Sequence, residues 1–443
     1  MRPLTLQLFN RKKWWDAAEL HFDKAQMTSS VTLYYFSQYI SDVLTYNAID
    51  SWACTVNAPV TILPAEYPTW PAVLDDLLPV GKSRDWWLNY LNMARATEFE
   101  QNYALLTNAC MSPVGNIRIK EAASLVRGAN AQRFSTDDVA RLQHDFLDYA
   151  NEHGAAVGGA TGAGGVAPKL LLMVDNDEVF IDADFAGKTL SATPYLTKFA
   201  RNTRSSRDNN ILRAEGVFYQ VLNDVLGDSS IETIDVSRMK ILEVDSQVSL
   251  WLPRFDVRFE DSIACRIGVE SIYSIINAGP GSYQNHFSVM EKVWEKIRHS
   301  TKMTSEEFAK QYLARDLLNL VFGNSDNHGR NISFLKFEGD IRYAPIYDFA
   351  PMKADPEMVT RLFKWGEEYE RGGIVYFDKL IQSLESFGDP DELMAFLRQL
   401  AEKLIKVPAL LEKYGCPEEI IEFPAIGFNR IEKKLADFGI RHA

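Results

Sequence analysis

The segment Asp326-Asn327-His328-Gly329-Arg330-Asn331 combines residue types and a spacing suited to phosphoryl transfer. Asp326 and Asn331 stand in Asp-x-x-x-x-Asn register. In kinase chemistry such an Asp accepts the proton of the attacking hydroxyl, and such an Asn holds a magnesium ion. Further along, Tyr347-Asp348-Phe349 brings a second Asp, where a kinase places its other metal ligand. Mg²⁺ prefers hard oxygen donors, one or two carboxylates with phosphate oxygens and water. Asp348 and Asn331 are therefore the candidate metal ligands. Asn, Asp and Gly also gather in surface turns for conformational reasons alone, so this spacing by itself leaves a plain turn open.

Kinase chemistry also needs glycines over the phosphates, a lysine for their oxygens and a helix Glu to orient that lysine. Residues 154–165 are rich in glycine, and Gly162, Gly164 and Gly165 precede an apolar strand pattern at 169–174. Bare backbone N–H groups there could approach phosphate closely, although a flexible linker has the same composition. Lys198 ends the short run Tyr195-Leu196-Thr197, and Glu215 lies on an amphipathic stretch. Either could equally be solvated surface charge. All five features nevertheless occur in the order a kinase needs. The glycine run does not match G-x-x-x-x-G-K-[ST], since Leu170 follows Lys169. Nor does it form Gly-x-Gly-x-x-Gly between a strand and a helix, which disfavours a dinucleotide site.

These residues need elements to hold them. Alternation at 4–9, 14–22, 31–35 and 60–63 predicts strands of a small β-rich N-terminal subdomain, with a short helix at 39–46. Residues 70–96 read as helical. Strands follow at 169–174 and 179–181, then a helix at 212–226 with Gly227 in a left-handed cap. A hairpin is expected at 241–244 and 248–252. Beyond it the pattern is mainly helical: Thr304-Ser305-Glu306-Glu307 is a capping box opening a helix to Phe322. A strand at 332–337 and helices at 391–405 and 418–438 follow, the last interrupted by Pro424.

Composition bounds the function. The chain has 443 residues, 46% hydrophobic and 24% charged, with formal net charge -13. This is ordinary globular composition, and the negative surface disfavours direct nucleic-acid binding by the bulk of the protein. Residues 198–213 are the basic exception, with Lys198, Arg201, Arg204, Arg207 and Arg213 against Asp208. That run is either a solvated loop or a patch facing phosphate or an acidic substrate. Cys54, Cys110, Cys265 and Cys416 form no C-x-x-C pair, which disfavours a zinc or redox motif. No apolar run is long enough for a membrane helix, and the start lacks a signal-peptide core. A cytoplasmic location without membrane contact is the expectation.

The segment from Phe322 through Phe334, followed by Tyr343-Ala344-Pro345-Ile346-Tyr347-Asp348, resembles the catalytic region of HipA-type bacterial toxin kinases. Asp75-Asp76-Leu77-Leu78-Pro79, Ser112-Pro113-Val114-Gly115 and Arg254-Phe255-Asp256 are similar to further segments of that family, in the same order. The resemblance implies an α+β, two-lobed, protein-kinase-like fold with an all-helical C-lobe. It divides the chain into an N-terminal subdomain at 1–120, a kinase N-lobe at 121–255 and a C-lobe at 256–443. It implies an ATP- and Mg²⁺-dependent Ser/Thr protein kinase.

By the resemblance, Asp326 is the base, with Asn331 and Asp348 as metal ligands and His328 as support for the catalytic loop. Gly162, Gly164, Gly165, Val166, Lys169, Lys198, Glu215 and Phe255 form the nucleotide site, with the hinge at 252–255. It further implies a protein substrate such as a translation factor or aminoacyl-tRNA synthetase, and a small DNA-binding antitoxin of HipB type as partner. There are departures from the family pattern. The Ser that family members autophosphorylate falls on Gly162, with Thr161 the adjacent hydroxyl. Pro253 replaces the hinge Glu, leaving adenine recognition to backbone groups. The altered glycine-rich loop motivates one alternative, a kinase-like regulatory or nucleotide-binding protein without turnover, and a small-molecule kinase on the same scaffold is another.

Overall fold

The computed structural model describes residues 1–45, 50–126, 132–142, 144–153, 155, 168–201 and 204–441. The glycine run's Gly162, Gly164, Gly165 and Val166, and Thr161 beside them, lie outside the described residues. The N-terminal part is a five-stranded antiparallel sheet, ordered Ala65–Tyr67, Val31–Tyr35, Lys13–Phe22, Leu4–Asn10, Ile117–Ile119. Alternation carries it: Leu4, Leu6 and Leu8 are buried on one face.

The expected strand at 60–63 does not form. Thr61 Oγ bonds Leu63 locally, leaving Ile62 and Leu63 84% and 71% exposed, and the edge strand begins after Pro64. Of residues 70–96, the 3-10 turn Ala72–Leu74 and the α-helix Gly81–Tyr90 are helical, and the rest is not. Pro79 removes the N–H that would continue the first into the second.

A six-stranded antiparallel sheet follows, ordered Lys240–Val244, Gln247–Pro253, Thr193–Phe199, Lys169–Asp175, Glu178–Phe180, Phe134–Ser135. Against it packs the helix Ser206–Leu226, whose burial includes Ile211, Leu212, Phe218, Val221 and Leu222. The approach is close: a Cβ on Gly216 would meet the Ile241 side chain at 2.6 Å. The helix starts six residues before the apolar periodicity does, because Ser205 and Asp208 form a capping box ahead of a polar first turn. Gly227 at its end is right-handed, φ −51, so the expected left-handed cap is not used.

The C-terminal lobe is mainly helical but not all-helical. It carries a three-stranded sheet, Gly268–Ser271, Ser333–Phe337 and Asp340–Tyr343. The reason is local: Ser333–Phe337 turns back at Gly339, φ +71, and pairs with Asp340–Tyr343. The long helix Ser305–Phe322 has the expected capping box at Thr304 and Glu307 and ends at left-handed Gly323. Pro424 and Gly427, φ +70, split the expected terminal helix into Glu418–Ile421 and Ile431–Asp437. One apolar core joins the helix Ser206–Leu226 to Ser305–Phe322 and Pro390–Leu404. Among the described residues no helix is long and apolar enough to cross a membrane.

Candidate active site

Strand register sets the site. Lys169 and Lys198 face each other across adjacent antiparallel strands, so both side chains leave the sheet on one face. Like charges directly opposite are destabilising, and an acidic group between them removes that cost. Asp348 is that group: its Oδ2 accepts from Lys169 Nζ at 2.8 Å and its Oδ1 from Lys198 Nζ at 2.6 Å. Lys198 also pairs with Glu215, brought into reach by the close helix packing at Gly216. Tyr219, one turn on, donates to Glu215 Oε1 at 2.9 Å and accepts the N–H of Phe349 at 3.2 Å.

The charges in this cluster shift one another. Burial works against the Asp348 carboxylate, yet Lys169 and Lys198 hold it far below the usual range. Burial also works against Lys198, but Asp348 and Glu215 outweigh it and raise its pKa. Lys169 goes the other way, lowered by burial and by Lys198 despite Asp348. Asp348 itself has φ 52, a left-handed conformation that Asp and Asn tolerate better than most residues.

The loop after Gly323 carries Asp326, His328 and Asn331. Asn331 Nδ2 donates to the Asp326 carbonyl at 2.7 Å, which leaves its Oδ1 free for a cation. Asn324 Oδ1 accepts from the Asp326 N–H at 3.3 Å. His328 Nδ1 accepts from the Arg330 N–H at 3.2 Å, which assigns the ring proton to Nε2. Nε2 lies 3.4 Å from Asp326 Oδ1, longer than a good hydrogen bond. Burial keeps the ring neutral despite the nearby Asp326. Tyr273 stacks beneath it, ring centroids 6.2 Å apart at 16°.

The same Tyr273 ring explains Gly329, where a Cβ would lie 2.6 Å from its Cγ. Gly329→Ala is expected to cost about 1–3 kcal/mol through overpacking and to displace the loop. Chemical denaturation alongside an activity assay would check it.

Two openings share this cluster. A cleft has apolar walls at Leu171, Leu196 and Leu252 and ends at Lys169, Lys198, Asp348 and Asn331. An adjoining depression is lined by Asp326, Asp348, Lys198 and Glu215. Phe255 lines the cleft, its ring 5.3 Å from that of Tyr347. At the hinge, Pro253 has no N–H and the Arg254 N–H donates to the Pro194 carbonyl, so neither amide is open to a ligand. The Arg254 side chain grips Asp256, which also accepts the Gly115 N–H at 2.8 Å. Two segments singled out separately in the sequence thus meet.

The donor set fits Mg²⁺: a carboxylate at Asp348 and an amide oxygen at Asn331 are hard ligands. Among the described residues no group of three or more His, Cys, Asp or Glu could hold a metal. Phosphate oxygens and water would have to complete the shell.

The fold therefore brings Asp326, His328, Asn331, Asp348, Lys169, Lys198 and Glu215 together. Tyr219 was missed, and Asn324, Asp75 and Asp76 lay in segments of the resemblance without a role of their own. Only Tyr219 had a local signal, its i+4 position from Glu215 on one helix face. The basic run is not an open patch. Arg201 pairs with Asp355 and Glu357, Arg207 with Glu419 and Arg213 with Glu243.

A family model described as the HipA-like C-terminal domain matches residues 161–407, more than half of the chain. The chain is 25% identical over 158 residues to Toxin YjjJ of Escherichia coli (strain K12), a match covering 36% of this chain and 32% of that protein. It thus spans about a third of the length of that relative. Its fold is similar to that in the Shewanella oneidensis MR-1 complex of HipA, HipB and operator DNA. The TM-score is 0.65 at 16% identity, covering 98% of this chain and 96% of the solved one.

Proposed function

The chain belongs to the HipA-like C-terminal domain family, and on that premise we propose that it is an ATP- and Mg²⁺-dependent protein Ser/Thr kinase. The observation that carries the reading is the convergence of Lys198, Glu215 and Asp348 into one buried ionic cluster beside Asp326 and Asn331. ATP supplies the γ-phosphoryl group, and Mg²⁺ neutralises charge on its oxygens. Asn331 and Asp348 would hold the metal. Lys198 and Lys169 would turn their ammonium groups from Asp348 to phosphate oxygens, with Glu215 and Tyr219 keeping Lys198 in place.

Asp326 accepts the proton of the substrate hydroxyl. His328, neutral and carrying its proton on Nε2, faces the Asp326 carboxylate and helps to orient it. Catalysis comes mainly from positioning and charge compensation. We assign residues 1–120, 121–255 and 256–443 to N-terminal subdomain, N-lobe and C-lobe.

Asp326→Ala is expected to lose transfer of label from γ-³²P-ATP to protein while Mg-ATP binding by calorimetry persists. Wild-type transfer in that variant would overturn the assignment of the base. Binding without transfer in the parent protein would make it a silent nucleotide binder, and label in a metabolite would make it a small-molecule kinase. The toxin role is a further part of the proposal, supported by the similarity to YjjJ and to the Shewanella HipA. A HipB-type antitoxin would then make the DNA contacts that a chain of net charge -13 disfavours. Its cytoplasmic target is a protein, of which translation factors and aminoacyl-tRNA synthetases are the first to assay.

A further inference from the structure

Asp75-Asp76-Leu77-Leu78-Pro79 has no part in the mechanism above, yet it touches the catalytic loop. Both Asp76 oxygens are engaged by Ser271: Oδ1 accepts the hydroxyl at 2.7 Å and Oδ2 the backbone N–H at 3.0 Å. The next two residues of that segment hold the loop by backbone bonds. The Ile272 N–H donates to the Ile332 carbonyl at 3.0 Å and the Tyr273 N–H to the Gly329 carbonyl at 3.4 Å. Tyr273 is also the ring under His328.

A second route runs through Arg330, the neighbour of Asn331. Its guanidinium donates to the Asp75 carbonyl at 2.6 Å, and its Nε lies 3.9 Å from Asp76 Oδ1. That Nε is buried and makes no hydrogen bond, so Asp76 is its nearest counter-charge among the described residues. Asp76, Ser271, Arg330 and Asn331 all face the nucleotide cleft. Two separate paths therefore run from one carboxylate to both ends of the segment Gly329–Ile332.

We propose that Asp76 is a positioning residue, through which the N-terminal subdomain sets the geometry of the catalytic loop. It touches neither phosphate nor acceptor hydroxyl. It fixes where Asn331 and Asp326 stand, so phosphotransfer depends on a part of the chain far away in sequence. The kinetic arm of the test rests on the kinase reading; the exchange arm does not.

Asp76→Ala and the isosteric Asp76→Asn are compared with the full-length parent. Because misplacing a reacting group by about 1 Å can cost about 100-fold, kcat for γ-phosphate transfer should fall about 10- to 100-fold. KM for ATP should change less than about threefold, since the interaction lost is one that matters only in the transition state. Amide hydrogen exchange across residues 326–332 should speed up in both variants. Arg330→Met combined with Asp76→Asn should be non-additive, as residues in one network are. A folded variant with kcat within about twofold of the parent and unchanged exchange in 326–332 overturns the proposal. If the parent itself transfers no phosphate, the kinase reading fails, and the exchange comparison decides this one alone. If Asp76→Ala does not fold, Asp76→Asn carries both measurements.

Discussion

Asp348→Asn is expected to reduce γ-phosphate transfer by about 10³-fold or more, the upper range for removing a group that stabilises transition-state charge. The substitution isolates charge from shape. Asn has the same outline and, like Asp, tolerates the left-handed φ of 52 found here, so no backbone strain is added. What it removes is the anion shared by Lys169 and Lys198 and the carboxylate that would bind Mg²⁺. The two effects pull apart on nucleotide. Without Asp348 the paired lysines lack their common counter-charge, and triphosphate oxygens can supply it. ATP binding should therefore persist, and its dependence on Mg²⁺ should weaken, while transfer is lost. Calorimetry with and without Mg²⁺, beside a radiolabel assay, reads both. Transfer within about tenfold of the parent would remove Asp348 from the metal site, because losing a catalytic metal ligand cannot cost so little.

Much of this site could be read in the sequence because its spacing is linear. Asp326, His328 and Asn331 sit in one loop, where the span between residues is fixed by local backbone geometry. The lysine at 198 and the Glu at 215 were legible through order along the chain. Their pairing was expected from that order, while the close approach of the helix Ser206–Leu226 to the sheet at Gly216, which makes it, was not legible. Lys169 was assigned to the nucleotide on resemblance. Its pairing opposite Lys198 follows from strand register, and a slip of one residue would send its side chain to the other face.

Asp76 was singled out by the resemblance, but its contacts were not legible, for a different reason. Its partners Ser271 and Arg330 lie 195 and 254 positions away, and no periodicity links such residues. The basic run stayed open between two readings in the same way. Its arginines look like a patch only until Glu357, Glu419 and Glu243 are folded against them. The local errors have local causes. Thr61 and Pro64 outweighed the apolar pattern at 60–63, and the polar first turn of Ser206–Leu226 hid a capping box.

Lys198→Met should have the largest effect on stability. The lysine side chain is 5% exposed and bonds two carboxylates, one of them the equally buried Glu215. Methionine nearly matches its length, so the loss is charge and not volume. Among the described residues, Glu215 would keep only the Tyr219 hydroxyl, and Asp348 only Lys169. Stranding a buried charge in this way costs about 3–5 kcal/mol, to be read as a lower urea midpoint at unchanged slope.

The pH profile of the difference separates this cause from simple packing. Lys198 is raised above its ordinary 10.5, so its contribution is complete below that value and is lost as pH climbs through the raised one. Asp348 is depressed below its ordinary 3.8, so its contribution is present above that value and is lost as pH falls toward the depressed one. The gap between parent and variant should hence stay flat between these limits and close at both ends. A gap that does not narrow once pH is taken below 3.8, with the parent still folded, would assign the effect to the methylene stem, and with it would go the ionic reading of the Lys198–Glu215–Asp348 cluster.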